Sequence, residues 1–163
     1  MNHRLIALTV SLLTASALGI ALASEYWGGL VPCALCLWER WPYRTVMVLS
    51  ALAVILPSRW ARPLLWIATA TLLTGALLGV IHVGVEWHFW PSPLPECAAL
   101  DLSGLSIAER LARMPATPAK PCDDPTYLLP VLPLSMAMIN LLFALAMASG
   151  LVIALRRRQG RTP

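Results

Sequence analysis

Four long apolar runs, separated by short polar or proline-rich stretches, set the pattern of this chain. A helix that crosses the hydrocarbon core of a bilayer needs about 20 mainly apolar residues. Runs at about 5–23, 37–56, 64–85 and 129–155 have that character. The second is short if it starts at Trp41, and reaches full length when drawn back through Leu37 and Trp38, which puts Glu39 and Arg40 at the interface. The first run has a rival reading, because Arg4, an apolar core and Ala21-Leu22-Ala23 resemble a cleavable signal peptide. That core exceeds the roughly 7–15 residues of a signal sequence, so it is read as a retained helix. The pattern therefore predicts an all-α membrane protein, a four-transmembrane-helix bundle. Its one sizeable region outside the bilayer is an outer loop at about 86–127. Pro91, Pro93, Pro95, Pro115, Pro118, Pro121 and Pro125 keep most of that loop out of regular helix. Ser103–Met114 is the exception, with Ser103 or Ser106 as N-cap. Leu105, Ala108, Leu111 and Ala112 share one face there, so a short amphipathic helix is expected, lying on the bilayer or against protein.

Composition agrees with the pattern. The chain is 58% hydrophobic and 12% charged, outside the range of a soluble globular domain. A single integral membrane domain spanning 1–163 is expected, with lipid as its surroundings. Charge then orients it. Arg4, then Arg59 and Arg62, then Arg156, Arg157, Arg158 and Arg161 mark one side of the membrane, where no acidic residue falls. Glu25, Glu39, Glu86, Glu96, Asp101, Glu109, Asp123 and Asp124 belong to the other. The positive-inside rule places both termini in the cytoplasm. The net charge of +4 is thus topological, and no nucleic-acid partner is expected.

All four cysteines then face the outer, oxidising compartment, where disulfides persist. Cys33-Ala34-Leu35-Cys36 lies in the gap between the first two runs. Pro32 suits a helix start, and the positive end of the helix dipole favours a thiolate at Cys33. Arg40 lies four residues beyond Cys36, on the same face, where a cation stabilises a Cys36 thiolate or an anionic reduced cofactor. Cys97 and Cys122 lie in the outer loop. A redox relay is the leading reading. A static Cys97–Cys122 bridge is a rival, whereas zinc is disfavoured because the second pair of ligands is spread apart; no metal is expected. His82 and Glu86, four apart near the outer end of the third run, are candidates for proton handling or, more simply, interfacial polar residues. Gly75 and Gly79 point to close helix packing. Trp27, Trp38, Trp41, Trp87 and Trp90 suit an outer aromatic belt, Trp60 an inner one. Asn140 is polar at depth and expected to face inward.

Several segments together resemble the DsbB family of disulfide bond formation proteins. They are Pro32-Cys-Ala-Leu-Cys-Leu-Trp-Glu-Arg-Trp-Pro-Tyr43, His82-Val-Gly-Val-Glu86, Pro91-Ser-Pro before Cys97, and Pro121-Cys-Asp ahead of Ser135 and Asn140. The resemblance implies a bacterial inner-membrane oxidoreductase that reoxidises a periplasmic thioredoxin-like, DsbA-type protein. It also implies delivery of the electrons to membrane quinone, ubiquinone or menaquinone. By the same resemblance Cys33 and Cys36 are the membrane-rim pair, with Cys36 nearest the quinone. Cys97 and Cys122 are the loop pair, with Cys97 attacked by the partner, and Arg40 supports quinone binding. The chemistry is coherent: a soluble dithiol cannot reduce a quinone buried in lipid, and thiolate–disulfide exchange through two pairs links the phases. The alternatives are a related oxidase dedicated to a narrow client set and a disulfide-stapled membrane scaffold without turnover.

Overall fold

The computed structural model describes residues 3–97, 104, 106–113, 120–128, 131 and 133–159. Helices α1 (His3–Tyr26), α2 (Ala34–Ile55), α3 (Ser58–Glu86), α4 (Ile107–Arg113) and α5 (Met136–Gln159) follow one another, with a one-turn 3₁₀ helix at Pro95–Cys97. Among the described residues there is no strand, only two isolated bridges, Cys33 with Lys120 and Tyr127 with Ser135. The α1, α3 and α5 spans His3–Tyr26, Ser58–Glu86 and Met136–Arg157 are long and apolar enough to cross a membrane. The second helix has 22 residues, but it carries Glu39, Arg40 and Arg44 in its first half and is not among these spans.

The bundle is built around α2 and α3. The first helix packs on α2, α2 on α3, and α3 on α5, with slighter contacts from α1 to α3 and α5. Its core joins Ile6, Ala7 and Val10 to Val46, Ala53, Leu65, Ala68, Leu72, Ala148 and Leu151. Thr14, Ser50 and Thr69 are buried among them, each donating its hydroxyl to the carbonyl four residues back. That satisfies a polar group where no water is available. Leu12, Ile20, Val48, Ile67, Leu77, Leu142 and Ile153 are exposed on the outer surface. A helix apolar on both its buried and its exposed face belongs in lipid. Gly75 and Gly79 serve two different partners. A Cβ at Gly75 would lie 3.1 Å from the Pro42 side chain, and one at Gly79 would lie 3.1 Å from Leu141. They let α3 approach α2 and α5 closely, which is packing within the bundle.

The helix ends differ from the sequence expectation. The second begins at Ala34 rather than near 37, because Cys33 itself is the N-cap, accepting the Cys36 backbone N–H. The link carrying Arg59 and Arg62 is helical, since α3 starts at Ser58; polar residues in a first turn do not oppose helix. The fifth starts at Met136, not near 129. Pro133 precedes it, and Ser135 caps it by accepting the Met138 N–H at 3.2 Å. The long connection after α3 therefore reaches Ser135 rather than ending near 127. The loop helix is shorter than Ser103–Met114. Its N-terminus is a capping box, in which Ser106 N–H donates to Glu109 at 2.9 Å and Glu109 N–H donates to the Ser106 hydroxyl at 3.4 Å. This pair holds the Glu109 carboxyl below its usual range. Ile107 and Leu111 are exposed, while Ser103, Leu105 and Met114 lie outside the described residues.

Candidate functional site

Short connections bring the end of α1, the start of α2 and the end of α3 together, and the four cysteines converge there. Cys97 and Cys122 form a disulfide, while Cys33 and Cys36 are thiols. Cys33, Cys97 and Cys122 share one buried apolar cluster with Leu35 and Val85, and Cys36 packs against it. Backbone pairing of Cys33 with Lys120 and the bond from Cys122 N–H to the Cys97 carbonyl at 3.3 Å hold the loop over the rim. The loop disulfide is not presented to solvent: Cys97 is 3% and Cys122 1% exposed. Beside Cys97 lies a cavity of about 320 Å³, lined also by Val85, His88, Trp90, Pro91, Ser92 and Asp123. Trp90 is pinned to α3, its indole N–H donating to the Ile81 carbonyl at 3.0 Å. Its ring covers Gly84 so closely that a Cβ there would lie 1.9 Å from it. His88, with φ of 58°, turns the chain back toward this contact.

Behind the cysteines is a row of buried polar side chains. His82 is 1% and Glu39 6% exposed. Nε2 of His82 lies 3.4 Å from Cys33 Sγ, and Nδ1 lies 3.0 Å from Glu39 Oε1. The series Cys33–His82–Glu39 thus has the form of a thiol, an imidazole and an orienting carboxylate. Cys33, which precedes α2, has its thiol pulled down to about 4. The hydrogen bond from Cys36 is the largest cause; burial opposes it, and His82 adds a hydrogen bond and charge. Glu86 does not join this row. Its carboxylate accepts from the Ser135 hydroxyl, tying the end of α3 to the start of α5.

On the far side of Cys36 is a second cavity of about 380 Å³, between α1, α2 and α5. Its walls are mainly apolar, including Leu13, Ala17, Ile20, Ile139 and Phe143, and Cys36, Glu39, Arg40, Tyr43 and Asn140 enter it. Arg40 is fixed by Glu25 from the end of α1, at 2.6 Å. Tyr43 donates to Asn140 Oδ1 at 2.6 Å, which leaves Asn140 Nδ2 buried with no partner. Asn140 faces inward, as expected for a polar residue at this depth.

The site thus unites Cys33, Cys36, Cys97, Cys122, Arg40 and His82, and sets Glu86 on a separate contact. Sequence reasoning missed Glu39 and Glu25 as members of it. Their signal was a carboxylate beside an arginine in an apolar run, and another at the end of the preceding one.

A family model described as "Disulfide bond formation protein DsbB" matches residues 3–154. An uncharacterized protein of Rickettsia prowazekii (strain Madrid E) is 30% identical over 139 residues, covering 85% of this chain and 77% of that protein. No solved structure matches the chain.

Proposed function

The chain belongs to the DsbB family of disulfide bond formation proteins, and we propose that it reoxidises a soluble, thioredoxin-like DsbA-type protein and passes the electrons to membrane quinone. In this reading it sits in a bacterial inner membrane with both termini cytoplasmic and its cysteines on the periplasmic side. One observation carries the proposal. The rim pair lies between the loop disulfide, which shares the Cys33 cluster, and an apolar cavity that Cys36 enters with Arg40.

The exchange steps balance as follows. A partner thiolate attacks Cys97 and releases Cys122; the partner's second thiol then displaces Cys97, so the partner gains a disulfide and the loop becomes a dithiol. Cys122 attacks Cys33 of an oxidised rim pair and releases Cys36. Attack of Cys97 on Cys122 then restores the loop disulfide and leaves Cys33 and Cys36 reduced. The structure has the pairing that ends this sequence. Cys97 suits the entry role because it borders the outer cavity.

The inner cavity fits a quinone in shape and in chemistry. It is apolar, as an isoprenoid-bearing ring requires, and the unpaired Asn140 Nδ2 and the Arg40 guanidinium are donors for carbonyl oxygens. When bound, quinone supplies a two-electron acceptor that takes up two protons as the rim dithiol becomes a disulfide. Arg40 would hold the head group, with Glu25 keeping the guanidinium in place. His82 takes the Cys33 proton at Nε2 and exchanges one with Glu39 at Nδ1, and Glu39 borders the cavity. We assign proton handling to this pair, and to Glu86 the anchoring of Ser135.

The test is turnover of purified protein with a reduced thioredoxin-like dithiol protein and ubiquinone or menaquinone, following quinone absorbance. Stoichiometric quinone loss and partner oxidation support the reading. A protein that exchanges thiols with the partner but never reduces either quinone is a scaffold or serves another acceptor.

A further inference from the structure

The reduced rim pair has a third soft ligand beside it. One ligand atom each from Cys33, Cys36 and His82 lies within 4.8 Å of the other two, and the Cys33 Sγ to His82 Nε2 separation is 3.4 Å. Tetrahedral zinc, with Zn–S about 2.3 Å and Zn–N about 2.0–2.1 Å, sets sulfur and nitrogen ligands about 3.6 Å apart. The observed spacing is close to that edge. Glu39 on Nδ1 is the carboxylate that orients a metal-binding imidazole, turning the other nitrogen to the ion. Cys33, His82 and Glu39 are all buried, so charge placed there must be compensated within the site. The nearby cation, Arg40, is held by Glu25. Sequence reasoning disfavours zinc because the loop cysteines are spread apart, but the third ligand comes from α3 instead.

We propose that Cys33, Cys36 and His82 form a binding site for a thiophilic divalent cation, Zn²⁺, that exists only while the rim pair is reduced. One ion binds the Cys33 thiolate, displaces the proton of the Cys36 thiol, and takes His82 as third ligand once the imidazole has released the proton it received from Cys33. No electron is transferred, and water completes the fourth position. The rim disulfide destroys the site. Zinc therefore competes with reoxidation of the rim pair and arrests any electron flow through it.

The experiment uses full-length protein in detergent carrying Cys97→Ser and Cys122→Ser, so that only the rim thiols remain. Co²⁺ is titrated anaerobically into the reduced protein as a spectroscopic probe. One equivalent should give thiolate-to-cobalt charge-transfer bands, which Zn²⁺ bleaches. Cys33→Ser should lose the two-thiolate spectrum, Glu39→Gln should bind about 10–100-fold more weakly, and the oxidised rim pair should give no bands. In the four-cysteine protein, needing no variant, Zn²⁺ should shield Cys33 and Cys36 from alkylation until a chelator is added. Absence of bands together with unshielded thiols overturns the site, as does equally tight binding by His82→Ala. Binding is read without turnover, so its failure is distinguishable from failure of the thiol-to-quinone reading.

Discussion

Reactivity of Cys33 with pH tests the rim geometry directly. An ordinary cysteine titrates near 8.5, whereas the Cys33 thiol is drawn down to about 4, first by the Cys36 hydrogen bond and, against burial, by His82. At pH 5 about 90% of Cys33 is then thiolate, compared with about 0.03% of an ordinary thiol, roughly a 3,000-fold gain. Nucleophilicity falls with basicity, with a Brønsted slope of about 0.4–0.5, which removes about 100-fold across 4.5 units. Cys33 should therefore alkylate about 30-fold faster than an ordinary thiol at pH 5, match it near pH 6.5, and fall behind above that. Burial slows reagent entry at every pH and leaves the shape unchanged. The assay is peptide mapping of iodoacetamide-labelled, reduced protein in detergent from pH 3.5 to 9. The profile at Cys33 should rise through about pH 4 and then stay flat. Cys36→Ala should move the rise upward most, and His82→Ala should also move it upward. The depressed value also stabilises the fold above the ordinary thiol range, and this contribution is lost as pH falls through 4. A Cys33 profile that climbs only above pH 8, or that ignores Cys36→Ala, refutes the reasoning.

Other expectations rest on separate contacts. Cys33→Ser and Cys36→Ser should each abolish quinone reduction by a reduced partner, measured by quinone absorbance; near-normal rates in either would rule out the relay. A partner keeping only its attacking cysteine should be trapped on Cys97, identified by peptide mapping, and trapping chiefly on Cys122 or Cys33 would reverse the assignment. Arg40→Lys keeps charge but loses the planar fork, so apparent quinone affinity should weaken with partial turnover, and Arg40→Ala should weaken it further. Unchanged affinity in both, with thiol exchange lost, would move Arg40 to the cysteine step. Gly84→Ala should expel Trp90 and its bond to Ile81, costing about 1 kcal/mol for the bond alone. Reduction of Cys97–Cys122 by small dithiols should then speed up several-fold, and an unaltered rate would show that Trp90 does not guard the loop.

Hydrophobic runs revealed the bundle because lipid demands them, but they marked the helix ends poorly. Arg59 and Arg62 interrupt hydropathy without interrupting hydrogen bonding, so α3 starts earlier than its apolar run. Leu128 extends hydropathy where α5 has not yet begun. The cysteine motif was legible because its chemistry is carried by local spacing. The site's acidic partners were not. Glu39 meets His82 across 43 residues, and Glu25 meets Arg40 across 15, pairings that exist only once three helices are packed.

Those two carboxylates explain how adjacent residues in one helix perform different tasks. Glu39 and Arg40 are neighbours, and in an isolated helix their charges would simply offset each other. In the bundle Arg40 is taken by Glu25 from α1, while Glu39 is taken by His82 from α3. A buried charge must be paired, and removing one partner of a buried pair costs more than the pair contributes. Each pairing therefore fixes one side chain against a different helix. The thiol–imidazole–carboxylate row is held on the α3 side and the guanidinium on the α1 side, with Cys36 between them. The polar first half that keeps α2 from being a membrane-length apolar span is thus what places a cysteine pair between a loop disulfide and an apolar cavity.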